Sequence, residues 1–192
     1  ISSIIVEAGS EFYDEKSQSQ YEGQIIGDKL ESLSQSRLRQ LGGTSGIWGG
    51  WCGPFESYDF EKWLIKKKDI DPFLEEACSI LEIQNNFRTS SLSQDVNQIE
   101  YQYSNIQFGS HYKEHLNKSD KIKIFLNSQL TYFESVNGNI TNAVVNNNDK
   151  SIKVKSNHFI LAAGGIENSR ILLWSRIKNK RLLDKELPIG KM

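Results

Sequence analysis

The chain has 192 residues, 23 Lys and Arg against 24 Asp and Glu, and a formal net charge of −1, with 38% hydrophobic and 24% charged residues. That length suits one domain, or one with a small appendage, and allows a core burying roughly 70% of the unfolded surface without disulfides. The ordinary composition excludes a collagen-like, low-complexity or wholly disordered chain; the balanced charge argues against electrostatic binding of nucleic acid; and no stretch approaches the roughly 20 apolar residues of a membrane-spanning helix.

The chain opens Ile1-Ser2-Ser3-Ile4 with no initiator Met or signal peptide, and closes Pro188-Ile189-Gly190-Lys191-Met192 with no helix cap. It therefore reads as a piece of a longer polypeptide. Its two cysteines, Cys52 and Cys78, form no Cys-x-x-Cys and no metal spacing, which suits a reducing compartment and a cytoplasmic location.

Ile4-Ile5-Val6 is a short β-branched run that predicts a buried strand, with Glu7 at its carboxyl end. Residues 10–36 are polar and read as an irregular excursion. A basic approach, Arg37-Leu38-Arg39-Gln40, leads into a loop from 41 to 50 so rich in glycine that neither a helix nor a strand suits it. Asp71-Pro72 is a helix start, and Phe73, Leu74, Ala77, Cys78 and Leu81 follow at helical spacing. The spacing predicts an amphipathic helix over 72–81 whose stripe is core. Tyr112 to Leu116 suggests one or two further turns.

From Lys121 the period changes to that of strands, with Ile122, Ile124 and Leu126 alternating. Asn137-Gly138 is a hairpin signal between Tyr132-Phe133 and a returning strand from Ile140 to Val145. A second turn over Asn146 to Lys150 and the alternation of Ile152 and Val154 complete a three-stranded antiparallel meander. His158 to Ala163 predicts a fully buried strand, and Gly164-Gly165 opens a helix over 166–177, with Glu167 near its start and Arg176 near its end as the helix dipole prefers.

Three segments have chemical meaning. An acidic residue at the end of the second strand of a Rossmann unit accepts hydrogen bonds from both ribose hydroxyls of an adenosine, which would suit Glu7. Ala162, Ala163 and Gly164 let backbone approach a ligand, and free amides at the following helix start suit a phosphate. The loop 41–50 lacks the lysine of a P-loop and instead sets Thr44, Ser45 and Trp48 among glycines, which suits a planar ligand with a diphosphate tail. A mere surface turn would leave Trp48 and Trp51 exposed. His111 and His115 share a helical face without a third ligand and read as solvent-exposed; His158 reads as structural, and Cys52 as a small buried residue.

In this order, Val6-Glu7-Ala8-Gly9, Arg39-Gln40-Leu41-Gly42-Gly43-Thr44-Ser45-Gly46-Ile47-Trp48-Gly49-Gly50 and Ile160 to Leu173 resemble the glucose–methanol–choline family of FAD-dependent oxidoreductases. The resemblance implies an α/β fold: a partial Rossmann-like FAD-binding domain with an inserted three-stranded antiparallel β-meander. Residues 1–192 would then be one incomplete domain: a strand end at 1–9, an excursion at 10–120 carrying the flavin loop and the helix 72–81, the meander and returning strand at 121–165, and the helix 166–177. It implies that Glu7 binds the adenosine ribose, that Gly42, Gly43, Thr44 and Ser45 run along the pyrophosphate and ribityl chain, and that Trp48 and Gly49 lie near the isoalloxazine. Leu130 would offer backbone to the adenine edge, Ala162, Ala163 and Gly164 would pass under the diphosphate, and Asn168 would add a polar contact. Trp48 stands where many members have Asn, and this variant looks like a branch acting on sugars and polyols.

The family's glycine-rich nucleotide fingerprint and its histidine-bearing catalytic part lie outside this chain. The implied activity is hydride transfer from an alcohol to FAD by the parent protein, with an unidentified electron acceptor and the remainder of the enzyme as partners. The chain alone is not expected to turn over substrate, because it shows no general base beside its flavin motifs. Two other readings stay open. Glu7 fits NAD equally well, as in a nicotinamide-dependent reductase, although the residues after Glu7 lack a βαβ rhythm. A non-catalytic remnant acting as an interaction module would instead expose apolar faces.

Overall fold

The computed structural model describes residues 2–27, 31–147, 150–179, 182 and 187–190. It is a mixed α/β chain. Strand β1 (Ser3–Val6) forms from the predicted β-branched run and is followed by α1 (Glu15–Gln18), a single turn capped by Asp14, whose Oδ1 accepts from Ser17 N at 2.6 Å. The glycine loop contains a 3-10 turn, Gly43–Gly46, and leads into β2 (Trp51–Cys52). Helices α2 (Lys67–Ile70) and α3 (Leu74–Ile80) flank a 3-10 turn at Asp71–Phe73. Then come β3 (Thr89–Ser91), β4 (Asn97–Ile99), β5 (Gln102–Tyr103), α4 (Phe108–His111) and α5 (Lys113–Lys118). The last part holds β6 (Ile122–Phe125), β7 (Ser128–Val136), β8 (Asn139–Asn147), β9 (Lys150–Val154) and α6 (Gly165–Lys178).

The described strands pair in small sheets. β1 lies parallel to β6, with Ile4 opposite Lys123 and Val6 opposite Phe125. β2–β5 and β3–β4 are short antiparallel pairs. The predicted meander is present as β7-β8-β9. Its first turn is Asn137-Gly138, with φ of 52° and 81°, the doubly left-handed geometry that matches the twist of a tight hairpin. Asn148 and Asp149, in the second predicted turn, lie outside the described residues.

The main core sits between the meander and α6. Phe133, Ala143, Ile171 and Leu182 are buried together, with Leu130, Ile140, Val154, Phe159 and Leu161 packed around them. α6 is joined to the sheet by a polar device. Ser175, fully buried, accepts a hydrogen bond from Phe133 N at 2.9 Å and donates to Ile171 O at 2.7 Å. It thereby satisfies an N–H that β7, an outer strand of its sheet among the described residues, turns away from β8.

Several expectations need correcting. Residues 158–163 form no strand and pair with none among the described residues, and Ile160 is 92% exposed rather than buried. Apolar, β-branched sequence favours extended backbone but cannot supply the neighbouring strand that burial requires. His158 is exposed there. The helix expected over 72–81 begins at Leu74, because Pro72 is accommodated in the preceding 3-10 turn. Its stripe is not core: Cys78 is buried and Leu74 and Leu81 are partly covered, but Phe73 and Ala77 are exposed. Lys66 and Lys68 are exposed and Lys67 is partly so. Lys66 N donates to Asp69 Oδ2 at 2.9 Å to start α2, and Lys67 pairs with Asp71 at 2.6 Å. β1 is only half covered, with Ile4 exposed.

The accessible surface is 14745 Å² for a 21.9 kDa chain. A close-packed monomer of that mass would expose about 9,300 Å². Length alone therefore overstated the core.

Candidate functional site

The site is built where β1 ends. Glu7 N donates to Phe125 O at 2.9 Å, and Ser128 N donates to Glu7 O at 2.8 Å, so the parallel ladder runs on past the last strand residue. Asn127 N donates to Gly9 O at 2.8 Å, and Leu41 N to Ser10 O at 2.9 Å beside a parallel bridge between Ser10 and Gln40. Gly9 is required at this crossing, because a Cβ there would collide with the Arg39 carbonyl. The end of β1 and the approach to the glycine loop are thus in backbone contact, although the sequence separates them by some thirty residues.

Side chains that sequence reading left in an irregular excursion hold this arrangement. Gln18, 5% exposed, donates through Nε2 to Ser34 O at 2.5 Å and Arg37 O at 2.6 Å and accepts from Arg39 N at 2.9 Å. Arg39, 4% exposed, donates through Nη1 to Gln20 Oε1 at 2.9 Å and Ser17 O at 3.3 Å. Arg37 donates to Glu167 Oε1 at 3.1 Å and lies 4.0 Å above the Tyr21 ring, a cation–π distance. The Arg37–Glu167 ion pair joins the loop approach to the first turn of α6. The Arg37 and Arg39 positions were legible as a basic pair, but nothing in the polar run around Gln18 and Tyr21 marks them.

The electrostatics are uneven. Glu7, half-buried, accepts from Gly9 N at 2.7 Å. Burial pushes its carboxyl above the usual carboxylate range, against the Gly9 N–H and the nearby Arg39 guanidinium, which act the other way. Burial also pushes Glu167 up, but there the Arg170 and Arg37 guanidinium groups outweigh it and hold the carboxyl below its usual range. Burial drives Arg39 down and Tyr21 up.

The glycine loop is closed on one side. Gly42, at φ 88°, packs its backbone directly on Gly109, and a Cβ on either would overlap the other segment. Gly43, at φ 58°, faces open space. The Ser45 hydroxyl is committed within the chain, donating to Gly42 O at 2.7 Å and accepting from Phe108 N at 3.1 Å. Thr44, exposed, accepts from Leu38 N at 3.3 Å and keeps its own hydrogen to donate. Trp48 donates Nε1–H to Ile106 O at 2.9 Å and packs against Phe108. Trp51 is 70% exposed, contrary to the argument that two tryptophans here must be covered; it stacks edge-on with Tyr103. Gly49 is exposed beside the Trp51 ring. Cys52 is buried as expected, and burial pushes its thiol up.

At the other side Ala162, Ala163 and Gly164 are exposed, and Gly164 and Gly165 face open space. Asn168 reaches back to accept from Ala163 N at 2.9 Å, bracing the junction from within. The Leu130 side chain packs into the main core, and its backbone lies opposite Val145. A hollow of about 350 Å³ lined by Ser110, Lys113, Glu114, Asn117 and Lys118 lies along α5 and touches none of these residues. His111 is exposed and pairs with Glu82 at 3.3 Å, and His115 is exposed.

A dinucleotide such as FAD needs a carboxylate for its ribose, bare backbone for its diphosphate and unpaired amides beside it. Glu7, Gly43, Ala162 to Gly165 and the first turn of α6 meet those needs. Gly42, Ser45 and the indole N–H of Trp48 are spent on packing and internal hydrogen bonds, so they fit as scaffolding for the loop rather than as polar contacts to a ligand. Compared with known proteins, the chain matches no family model and no curated protein.

Proposed function

We propose that the chain is the FAD-binding part of an oxidoreductase that transfers a hydride from an alcohol CH–OH group to flavin. One observation carries the reading. The carboxylate at the end of β1, the approach to the glycine loop and the small-residue entry to α6 are tied together through Gly9, Arg39 and the Arg37–Glu167 ion pair. Bound FAD would supply the two-electron acceptor for the alcohol C–H bond.

The chain's own residues bind and orient. Glu7 accepts hydrogen bonds from the two adenosine-ribose hydroxyls, each contributing about 1.5–3 kcal/mol because the acceptor is charged. The amides at the start of α6 have no partner inside the helix and favour the diphosphate. Gly43 and Ala162 to Gly164 give close approach without a side chain in the way. The fold class is accordingly a partial Rossmann-like domain, with the β1–β6 pair as its parallel element. A sugar or polyol substrate rests on Trp48 alone. The general base, the electron acceptor and the rest of the enzyme lie with partners of this chain. Two buried, unpaired cysteines suit a reducing, cytoplasmic setting. Among the described residues no helix is long and apolar enough to cross a membrane.

A second reading is favoured by the large exposed surface and by Ile160, Leu64 and Ile26 standing almost free of cover. It makes the chain a non-catalytic interaction module. Titration with FAD, read by flavin fluorescence and by the unfolding temperature, separates the two. Saturable FAD binding is expected, weakened at least tenfold by Glu7→Ala, a change of about 1.4 kcal/mol. Binding of NAD alone would replace flavin with a nicotinamide. Binding of neither, with strong uptake of a hydrophobic dye, would leave the module.

A further inference from the structure

We propose that the flavin ring is received by Trp51, braced by Tyr103 on the open face of the β2–β5 pair, and not by Trp48. The inference rests on the flavin reading and assigns the aromatic side chain on which the isoalloxazine stacks.

The glycine loop has two sides, told apart by what each residue already holds. Gly42 lies on Gly109, the Ser45 hydroxyl serves Gly42 O and Phe108 N, and the Trp48 indole donates to Ile106 O at 2.9 Å while its ring packs on Phe108. Gly50, at φ 69°, lies so close to Ser104 that a Cβ would stand 2.2 Å from the Ser104 carbonyl oxygen, and Ser104 N donates to Gly50 O at 2.8 Å. These residues fasten the loop to the chain beneath it. Thr44, Ile47, Gly49 and Trp51 are exposed, and Gly43 has open space where a Cβ would stand. The open side of the loop therefore runs from Gly43 to Trp51, whereas Trp48 belongs to the fastened side.

The β2–β5 pair at the end of that side is inverted relative to an ordinary two-stranded sheet, in which apolar residues are covered and polar ones face water. Its covered residues are Cys52, at 8% exposure, and Ser104, at 3%, whose Oγ donates to Leu81 O at 2.7 Å. Gln102, opposite Cys52, accepts from Gln84 N at 2.9 Å and donates to Asn86 Oδ1 at 2.9 Å. The residues that alternate with these are aromatic and open. Trp51 sits opposite Tyr103, with ring centroids 5.9 Å apart at 68°, and the Tyr101 ring lies over Gly53. Trp51, Tyr101 and Tyr103 are 70%, 57% and 58% exposed. Rings left uncovered together mark a surface that gains by being covered. The edge-on contact with Tyr103 holds the indole in place while most of it stays open. A planar heteroaromatic ring is what such an indole stacks on, as tryptophan does with nucleic acid bases. Continuity with the open side of the loop makes the isoalloxazine that ring.

The test follows flavin emission as FAD binds to the full chain. Free FAD is dimmed by its own adenine, and stacking on an indole dims the flavin further. Wild-type chain should bind FAD with emission below that of the free cofactor. Trp51→Leu should raise the dissociation constant about tenfold and leave the bound flavin brighter than free FAD. Trp48→Phe, which keeps a ring against Phe108, should stay dim, as should Trp63→Leu, an exposed control from the separate Phe55–Phe60–Trp63 cluster. A measurement on the unaltered chain does not depend on any variant folding: FAD should shift the indole Nε1–H resonance of Trp51 and leave that of Trp48 in place. Bright flavin bound to the wild type, emission restored by Trp48→Phe instead of Trp51→Leu, or a Trp51 resonance that FAD does not move would each overturn the assignment and leave the flavin reading standing on saturable binding. A wild type that binds no FAD overturns both.

Discussion

Replacing Ser175 by Ala removes a single oxygen from a position with no solvent access. That oxygen serves two backbone groups in different elements. It donates to Ile171 O inside α6 and accepts from Phe133 N on β7, where Phe133 is itself 3% exposed. Ile171 O also belongs to the helix ladder, so losing the hydroxyl leaves it satisfied. Phe133 N would lose the Ser175 acceptor inside the core, and a buried N–H left without that partner costs about 1–3 kcal/mol. The change opens almost no cavity, so nearly the whole effect is polar. For a chain of this size it corresponds to a fall of about 3–9 °C in unfolding temperature. Urea unfolding of Ser175→Ala beside the exposed control Ser90→Ala gives the difference, and hydrogen exchange at Phe133 shows whether the loss is local. A Ser175→Ala chain within about 0.5 kcal/mol of the wild type, the range of neutral surface changes, would refute the claim that this hydroxyl fastens α6 to the sheet.

Three further outcomes follow from the same geometry. Gly42→Ala should destabilise by at least about 2 kcal/mol, since it adds a backbone collision with Gly109 to the strain of a positive φ, whereas Gly43→Ala, with open space around it, should cost about 1 kcal/mol. Equal effects in paired urea titrations would mean that the contact between the two glycines carries no weight. Glu167 has a folded-state affinity for protons lowered by Arg170 and Arg37, so its contribution is present above its unfolded value of 4.5 and disappears as pH falls through the lower folded value. Glu167→Gln should therefore flatten the acid limb of the stability profile and lower stability at neutral pH. Glu7 runs the other way: burial raises its folded value, so its ionisation costs stability above 4.5, and Glu7→Gln should stabilise the chain at pH 7 while weakening FAD binding.

The local elements whose signal is intrinsic to a short stretch were readable in advance. Alternation and the Asn137-Gly138 pair gave the β7-β8 hairpin, and the small-residue junction with Glu167 beyond it gave the start of α6. The failures share a cause. The apolar run at 158–163 and the stripe at Phe73 to Leu81 have the residues of buried elements, but burial is a property of neighbours, and neither finds enough of them. The site was legible in part for the converse reason. Glu7 and the glycines stand out by type, whereas Gln18, Arg39 and Gly109 matter only through what tertiary structure brings to them. The pairing of Gly42 with Gly109 has no local signature, because each glycine is required by the other's backbone.

Gln18 holds a stretch of chain that has little regular structure of its own. Its amide nitrogen points two hydrogens at the carbonyls of Ser34 and Arg37 while its oxygen receives the amide of Arg39. The assignment is unambiguous, since turning the amide over would set oxygen against two carbonyl oxygens. Hydrolysis of that amide to a carboxylate, the slow chemical ageing to which Gln is subject, would do the same and add a negative charge. The segment would lose two of its three anchors at once, while every other atom of the protein remained unchanged. A mass gain of about one unit at position 18 would thus mark the molecules in which the approach to the glycine loop has come loose.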